Sequence, residues 1–136
     1  MLLFTHKNFI RVVGDDNMNL FIWYPKCSTC KSAKKYLEDK KVNLTLRDII
    51  TDNPSKEELS NWLNNSNYDI GKFFNTSGLI YKNNNLKEKR INMSIEEQLK
   101  LLSTNGMLVK RPILITNDKI IVGFDRKEYD KLWKQF

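Results

Sequence analysis

One proline marks a change of hydrophobic period, and that change limits the fold more than any other feature. Leu20-Phe21-Ile22-Trp23-Tyr24 is an unbroken apolar and aromatic run that reads as a strand. Pro25, with no N–H to give to a ladder, ends it. Beyond it, Cys30, Ala33, Tyr36 and Leu37 fall at i, i+3, i+6 and i+7, the stripe of a helix expected to run to Lys40. Val42 to Leu46, alternating with Asn43 and Thr45, then reads as a second strand with Arg47-Asp48 at its end. A strand–helix–strand of this length favours a parallel pair with a right-handed crossover.

Helical signals follow. Ser55 with Glu58 forms a capping box opening a helix whose inward stripe is Leu59, Trp62 and Leu63. After a turn at Asn64 to Asn67, Tyr68 to Phe74 reads as a short helix carrying Phe73 and Phe74, broken by Thr76-Ser77-Gly78. Asn83-Asn84-Asn85 and Lys87-Glu88-Lys89-Arg90 read as a solvated turn and helical piece. Ser94 with Glu97 opens another helix, with Ile95, Leu99 and Leu102 inward and Gly106 near its end. Ile113-Leu114-Ile115 and Ile120-Ile121-Val122, joined at Asn117-Asp118, read as a hairpin. A last helix from Arg126 to Lys134 buries Tyr129, Leu132 and Trp133. The order β-α-β, helices, β-β-α resembles the thioredoxin-like plan.

The 136 residues suit one domain, and 40% hydrophobic with 29% charged residues is enough apolar material for a modest core. No stretch approaches the roughly 20 apolar residues that span a bilayer. His6, Lys7, Asn8 and Arg11 interrupt the apolar start, and no small-residue cleavage site follows, so no signal peptide is expected. A soluble, cytoplasmic protein without membrane partners is the expectation. Residues 1–17 stand apart: Phe9 to Val13 could be a short strand ended by Gly14-Asp15-Asp16-Asn17. They read either as an N-terminal extension (even an upstream start) ahead of a core domain at 18–136, or as an ordinary extra edge strand.

Two cysteines three apart, Cys27 and Cys30, staple nothing distant. With one histidine, His6, far away in sequence and read as a surface residue, they cannot supply the four ligands of structural zinc, so no metal is expected. What remains is thiol chemistry, or two inert thiols. The pair sits where a strand hands over to a helix, with Cys27 at the N-cap and Cys30 in the first turn. The first helical N–H groups lack internal partners, and the dipole places roughly +0.5 charge there. Both favour a thiolate, as do Lys26 and Lys31. Cys27 is the expected nucleophile. Cys30, on the apolar stripe, is the expected resolving thiol.

Arg111-Pro112, ahead of the hairpin, is the second feature. In a thioredoxin-like fold a cis-proline here packs against the CxxC, which would bring Arg111 near Cys27, where its paired donors suit an oxyanion or carboxylate. The alternative is a surface arginine ahead of a strand. Tyr24-Pro25-Lys26-Cys27-Ser28-Thr29-Cys30-Lys31, Phe73-Phe74-Asn75-Thr76-Ser77-Gly78 and Lys110-Arg111-Pro112-Ile113-Leu114 through Val122-Gly123-Phe124 together resemble the arsenate reductase (ArsC)/Spx/MgsR family over about residues 18–136.

The resemblance implies a thioredoxin-like α/β fold with an inserted helical subdomain at about 54–106. Two functions are implied: glutaredoxin-coupled arsenate reduction, and redox-sensing regulation through the RNA polymerase α subunit. It implies Cys27 and Arg111 as catalytic residues; glutaredoxin-coupled reductases typically have one cysteine in this loop, and Cys30 is expected to join them here as an internal resolver, with Lys26, Ser28, Thr29, Lys31 and Pro112 as expected substrate-binding positions. No bound cofactor is implied; an external thiol such as glutathione/glutaredoxin or thioredoxin would reset the pair. Family arsenate reductases hold the oxyanion with two further arginines, where this sequence has Ser77 and Gly123. The leading expectation is a thiol–disulfide redox protein acting on a partner protein or small oxyanion, and the alternative is an RNA polymerase-binding regulator.

The net charge is +7, and seven cations against two anions lie between Lys26 and Arg47. That surplus could steer an acidic partner or anion toward Cys27, or be one solvated helix face. No helix-turn-helix or aromatic-interleaved basic array suggests direct DNA binding.

Overall fold

The computed structural model describes residues 2–4, 10–12 and 19–133. The chain divides into two compact units, Met1–Arg47 with Arg111–Phe136, and Asp48–Lys110. Among the described residues no helix is long and apolar enough to cross a membrane.

The first unit opens with β1 (Leu2–Phe4) and β2 (Ile10–Val12), paired antiparallel in a sheet of their own, Leu3 opposite Arg11. The strand expected around Phe9 to Val13 thus occupies Ile10–Val12 and pairs with Leu2–Phe4. His6, Phe9, Val13 to Met18 and Lys134 lie outside the described residues. The main sheet has four strands: β3 (Leu20–Trp23), β4 (Thr45–Asp48), β5 (Ile113–Ile115) and β6 (Ile120–Val122), in the order β4-β3-β5-β6. β5 pairs antiparallel with both neighbours, Leu114 lying opposite Phe21 and Ile121. The β5–β6 hairpin is turned by Thr116, whose N–H donates to the Lys119 carbonyl at 2.9 Å and whose hydroxyl accepts from the Lys119 N–H at 2.9 Å.

Between β3 and β4 runs α1 (Ser28–Asp39), and α6 (Arg126–Trp133) follows β6. Phe21, Ala33, Leu37, Leu114, Ile121 and Tyr129 form the buried core, with Trp23, Tyr36, Val42, Leu44, Phe124, Leu132 and Trp133 partly buried against it. Leu132 and Trp133 therefore cover the core, while Tyr129 is fully enclosed. The Tyr36 hydroxyl bonds the Asp130 carboxylate, and the Arg126 guanidinium lies 4.9 Å over the Tyr36 ring, tying α6 to α1.

The second strand starts later than the alternation at Val42 to Leu46 suggests. Helix α1 ends in a Schellman motif: Lys41 takes φ 59°, its N–H reaches the Glu38 carbonyl, and the Val42 N–H reaches back to Leu37 at 3.0 Å. Val42 is therefore still closing the helix. The ladder begins at Thr45, whose N–H donates to the Asn19 carbonyl at 2.8 Å, and it takes in Arg47 and Asp48.

In the second unit, α2 (Lys56–Asn64) and α5 (Ile95–Ser103) both open on complete capping boxes, Ser55 with Glu58 and Ser94 with Glu97, as expected. Lys56 and Glu96 join the two helices at 2.5 Å. Leu59 and Trp62 are buried, Leu63 partly so. The segment before Phe74 is a 3-10 turn at Ile70–Phe73. Thr76-Ser77-Gly78 ends that segment and also starts the next: Gly78 is the N-cap of α3 (Leu79–Asn83), a helix the sequence pattern does not reveal. Asn85, at φ 53°, separates it from α4 (Leu86–Lys89).

One expectation for α5 needs correction. Ile95 is 49% exposed, whereas Gln98 is only 6% exposed and shares the inward face with Leu99 and Leu102. Gln98 can be buried because its amide is satisfied: it accepts from Arg90 Nε at 2.9 Å and donates to the Met93 carbonyl at 3.2 Å. Arg90 also donates to the Tyr81 hydroxyl at 3.1 Å, with its guanidinium 4.5 Å over the Phe74 ring. Gly106 lies near the helix end, as expected, two residues past the C-cap Thr104. It opens a separate 3-10 turn, Gly106–Leu108, where a Cβ would collide with the Ile49 carbonyl oxygen.

Candidate thiol site

Pro25 and Lys26 occupy the centre of a tight turn between β3 and α1, closed by the Cys27 N–H donating to the Tyr24 carbonyl at 2.9 Å. Proline suits that turn because its φ is already set. The turn delivers Cys27 as the N-cap residue of α1, in extended conformation at φ −95°, ψ 120°. Serine, threonine or aspartate is the usual occupant of an N-cap, accepting from an amide that the helix leaves orphaned. Here sulfur does so, Cys27 Sγ accepting from the Cys30 N–H at 3.3 Å. Cys27 is half-buried and Cys30 fully buried; both thiols are free.

Burial pushes the Cys30 thiol up from 9.0 to about 12, helped by its hydrogen bond to the Cys27 side chain. The Tyr24 backbone acts the other way, the Cys27 charge adds to the rise, and the Arg111 charge opposes it. Arg111 is thus within electrostatic reach of the Cys30 thiol, although it lies 81 positions further along the sequence. It precedes Pro112 through a cis peptide bond, and its guanidinium lies 5.5 Å over the Tyr24 ring. Pro112 is buried, and its carbonyl accepts from the Gly123 N–H at 2.7 Å.

Lys26, Ser28, Thr29 and Lys31 are all exposed around the turn and the first turn of α1, which carries no acidic residue. Further along, Lys34 is engaged by Glu38 at 2.7 Å and lies over the Trp23 ring, and Lys35 is engaged by Asp39 at 3.3 Å. Among the described residues no group of His, Cys, Asp and Glu could hold a metal ion.

A family model described as the ArsC family matches residues 22–132. The chain belongs to the ArsC family. Its relatives include the uncharacterized protein YusI of Bacillus subtilis, 47% identical over 83% of this chain and 96% of that one. Another is the regulatory protein MgsR of the same organism, 31% identical over 85% of this chain and 90% of its own length. A crystal structure of an ArsC family related protein from Bacteroides fragilis superposes with a TM-score of 0.81 at 48% identity, covering 84% and 96% of the two chains. The fold is accordingly the thioredoxin-like α/β fold, and the chain is a redox-related member of that group.

Two positions matter for the arginines that the sequence resemblance leads one to expect. Gly123 adopts φ 83°, a backbone conformation in which an arginine would be strained. Ser77, in the second unit, is exposed and its hydroxyl faces Asn75. Tyr24 has no role that the sequence motif assigns, yet its carbonyl holds Cys27 and its ring meets Arg111. The available signal is an aromatic residue directly ahead of Pro-x-Cys, which strand patterning alone reads as the end of the Leu20–Tyr24 run, whereas β3 stops at Trp23 and Tyr24 opens the turn.

Proposed function

We propose that this ArsC family member is a thiol–disulfide redox protein in which Cys27 is the attacking sulfur and Cys30 the resolving one. The observation that carries the reading is the asymmetry of the pair: a half-buried sulfur at a helix N-cap, with a fully buried thiol hydrogen-bonded behind it. In the first step the Cys27 thiolate bonds to one sulfur of a substrate disulfide, and the other sulfur leaves with the electron pair. Cys30 then attacks Cys27, releasing the second half as a thiol and leaving a Cys27–Cys30 disulfide that an external thiol reduces.

The electrostatics order these steps. Two of the influences that raise Cys30, the hydrogen bond its S–H donates to the Cys27 sulfur and the Cys27 charge, vanish once Cys27 is tied up in a mixed disulfide. Burial is then opposed by Arg111 and the Tyr24 backbone, so Cys30 becomes more acidic when it is needed. Arg111, Lys26, Lys31 and the amides of Ser28 and Thr29 are the groups that would face an anionic substrate or leaving group, beside Pro112. With serine and glycine in place of two arginines, arsenate is a poor fit to this set. Mass spectrometry after mild peroxide treatment tests the pair: one internal disulfide is expected, and Cys30→Ser, given oxidised glutathione in place of peroxide, should stop at a glutathione mixed disulfide on Cys27 with release of one glutathione thiol. A Cys27 that reacts with no disulfide refutes the reading.

A second reading is favoured by the likeness to the regulatory protein MgsR. On it, the same oxidation alters a surface that binds the RNA polymerase α subunit. Pull-down with the α C-terminal domain, on reduced and oxidised protein, separates the two; binding in neither state eliminates the regulator.

A further inference from the structure

Tyr24 serves the site twice. Its carbonyl receives the Cys27 N–H at 2.9 Å, so it fixes the start of the N-cap, and Pro25 behind it holds that turn. Its ring lies under the Arg111 guanidinium at 5.5 Å, inside the roughly 6 Å over which an aromatic face attracts a cation. The Arg111 charge and the Tyr24 backbone both act on the Cys30 thiol, and the Tyr24 ring meets the Arg111 guanidinium, so ring, guanidinium and Cys30 belong to one neighbourhood. A guanidinium on a long flexible side chain needs support to stay beside a reacting sulfur, and the flat π face of Tyr24 is one such support.

We infer that Tyr24 is a positioning residue: its ring holds the Arg111 guanidinium beside the thiol pair, and this makes the site favour disulfides whose departing half is an anion. The inference rests on the proposed role of Cys27 as attacking sulfur. When Cys27 attacks, the new S–S bond oxidises it and the departing sulfur carries the electron pair off as a thiolate. A fixed cation stabilises that thiolate most when the departing group bears further negative charge. No other oxidant or proton carrier is required.

The test uses the Cys30→Ser variant, in which only the first step occurs, with two probes: the dianionic dithiobis(nitrobenzoate) and the neutral dithiodipyridine. The ratio of their second-order rate constants is the readout, because a merely structural role for Tyr24 would slow both probes together. Tyr24→Leu should lower the ratio about two- to fivefold, the range expected for a cation–π contact at a partly exposed site. Tyr24→Phe, which keeps the face, should preserve it, and Tyr24→Trp should preserve or raise it. Arg111→Gln should lower the ratio at least as far, and adding Tyr24→Leu to Arg111→Gln should change it no further. An unchanged ratio in Tyr24→Leu, a fall in Tyr24→Trp, or additive losses in the double variant would overturn the inference while leaving the Cys27 reading intact. Should Cys27 react with neither probe, both fail. Were Tyr24→Leu unable to fold, the Tyr24→Trp and Tyr24→Phe ratios decide alone.

Discussion

Raising the pH should destabilise this protein through Cys30 in a way that a single substitution removes. Cys30 is fully buried, and its thiol is pushed from 9.0 to about 12, first by desolvation and then by the Cys27 side chain. Because the folded-state value lies above the unfolded one, the contribution to stability is fully present below pH 9. It is lost as the pH rises toward 12, since the unfolded chain releases the proton and the folded chain holds it. A tenfold difference in proton affinity between the two states is worth about 1.4 kcal/mol, so the loss reaches about 3 kcal/mol at pH 11 and about 4 kcal/mol at pH 12. Cys30→Ala removes this slope at the cost of a pH-independent packing loss of about 1 kcal/mol.

Wild type should therefore be the more stable of the two at pH 8 and the less stable at pH 11, with the curves crossing near pH 10. Urea unfolding under a phosphine reductant at each pH measures this, and the difference between the two proteins cancels the titration of other groups. Cys27→Ala supplies an internal check: it removes the hydrogen bond and charge that help raise Cys30, so the window of loss should narrow from its upper end. A wild-type-minus-Cys30→Ala difference that stays flat from pH 8 to pH 11 would refute the account of Cys30 as a buried, high-pKa thiol.

Gly106→Ala should lower stability by about 1–3 kcal/mol or more in thermal unfolding, because the added methyl meets the Ile49 backbone rather than a movable side chain. Gln98→Leu should cost about 1–3 kcal/mol by the same measurement, since it strips the acceptor from Arg90 Nε and the donor from the Met93 carbonyl. Ser55→Ala and Ser94→Ala should each cost about 1 kcal/mol by the same measurement, as each removes the cap of a helix.

Local pattern carries most of what can be read in the sequence. The two capping boxes, the α1 stripe and the β5–β6 hairpin each depend on residues within a few positions of one another, and each stands where the pattern puts it. The elements that differ are those where tertiary satisfaction overrides local preference. Gln98 is polar, and an apolar stripe leaves it off the inward face; its burial depends on Arg90, eight residues earlier, and on the Met93 carbonyl. Helix α3 is hidden because a Thr-Ser-Gly triplet reads as a breaker, whereas an extended Gly78 also serves as an N-cap. Lys41 in a left-handed position, where glycine would announce a Schellman motif, disguises the delay before β4.

The thiol site divides along the same line. Cys27 and Cys30 are three residues apart, so helix geometry alone assigns one to the cap and the other to the buried stripe. Nothing local associates either with Arg111; only the resemblance of the Arg-Pro motif does, and only the folded chain shows the guanidinium resting on Tyr24. Charge follows a comparable division. Residues 48–110 carry eight Lys or Arg and eight Asp or Glu, so the whole net charge of +7 belongs to the unit that holds the thiols. A field of that sign speeds encounters with anions and acidic proteins and is screened within about 10 Å at 0.1 M salt. Pairing of Lys34 with Glu38 and Lys35 with Asp39 leaves the surplus to residues such as Lys26, Lys31, Lys40 and Lys41, of which Lys26 and Lys31 flank the Cys27–Cys30 pair in sequence. On the proposed reading, a broad, salt-sensitive attraction is separate from the short-range preference inferred for Arg111, and a substrate that reacts fast only at low ionic strength would be using the first without the second.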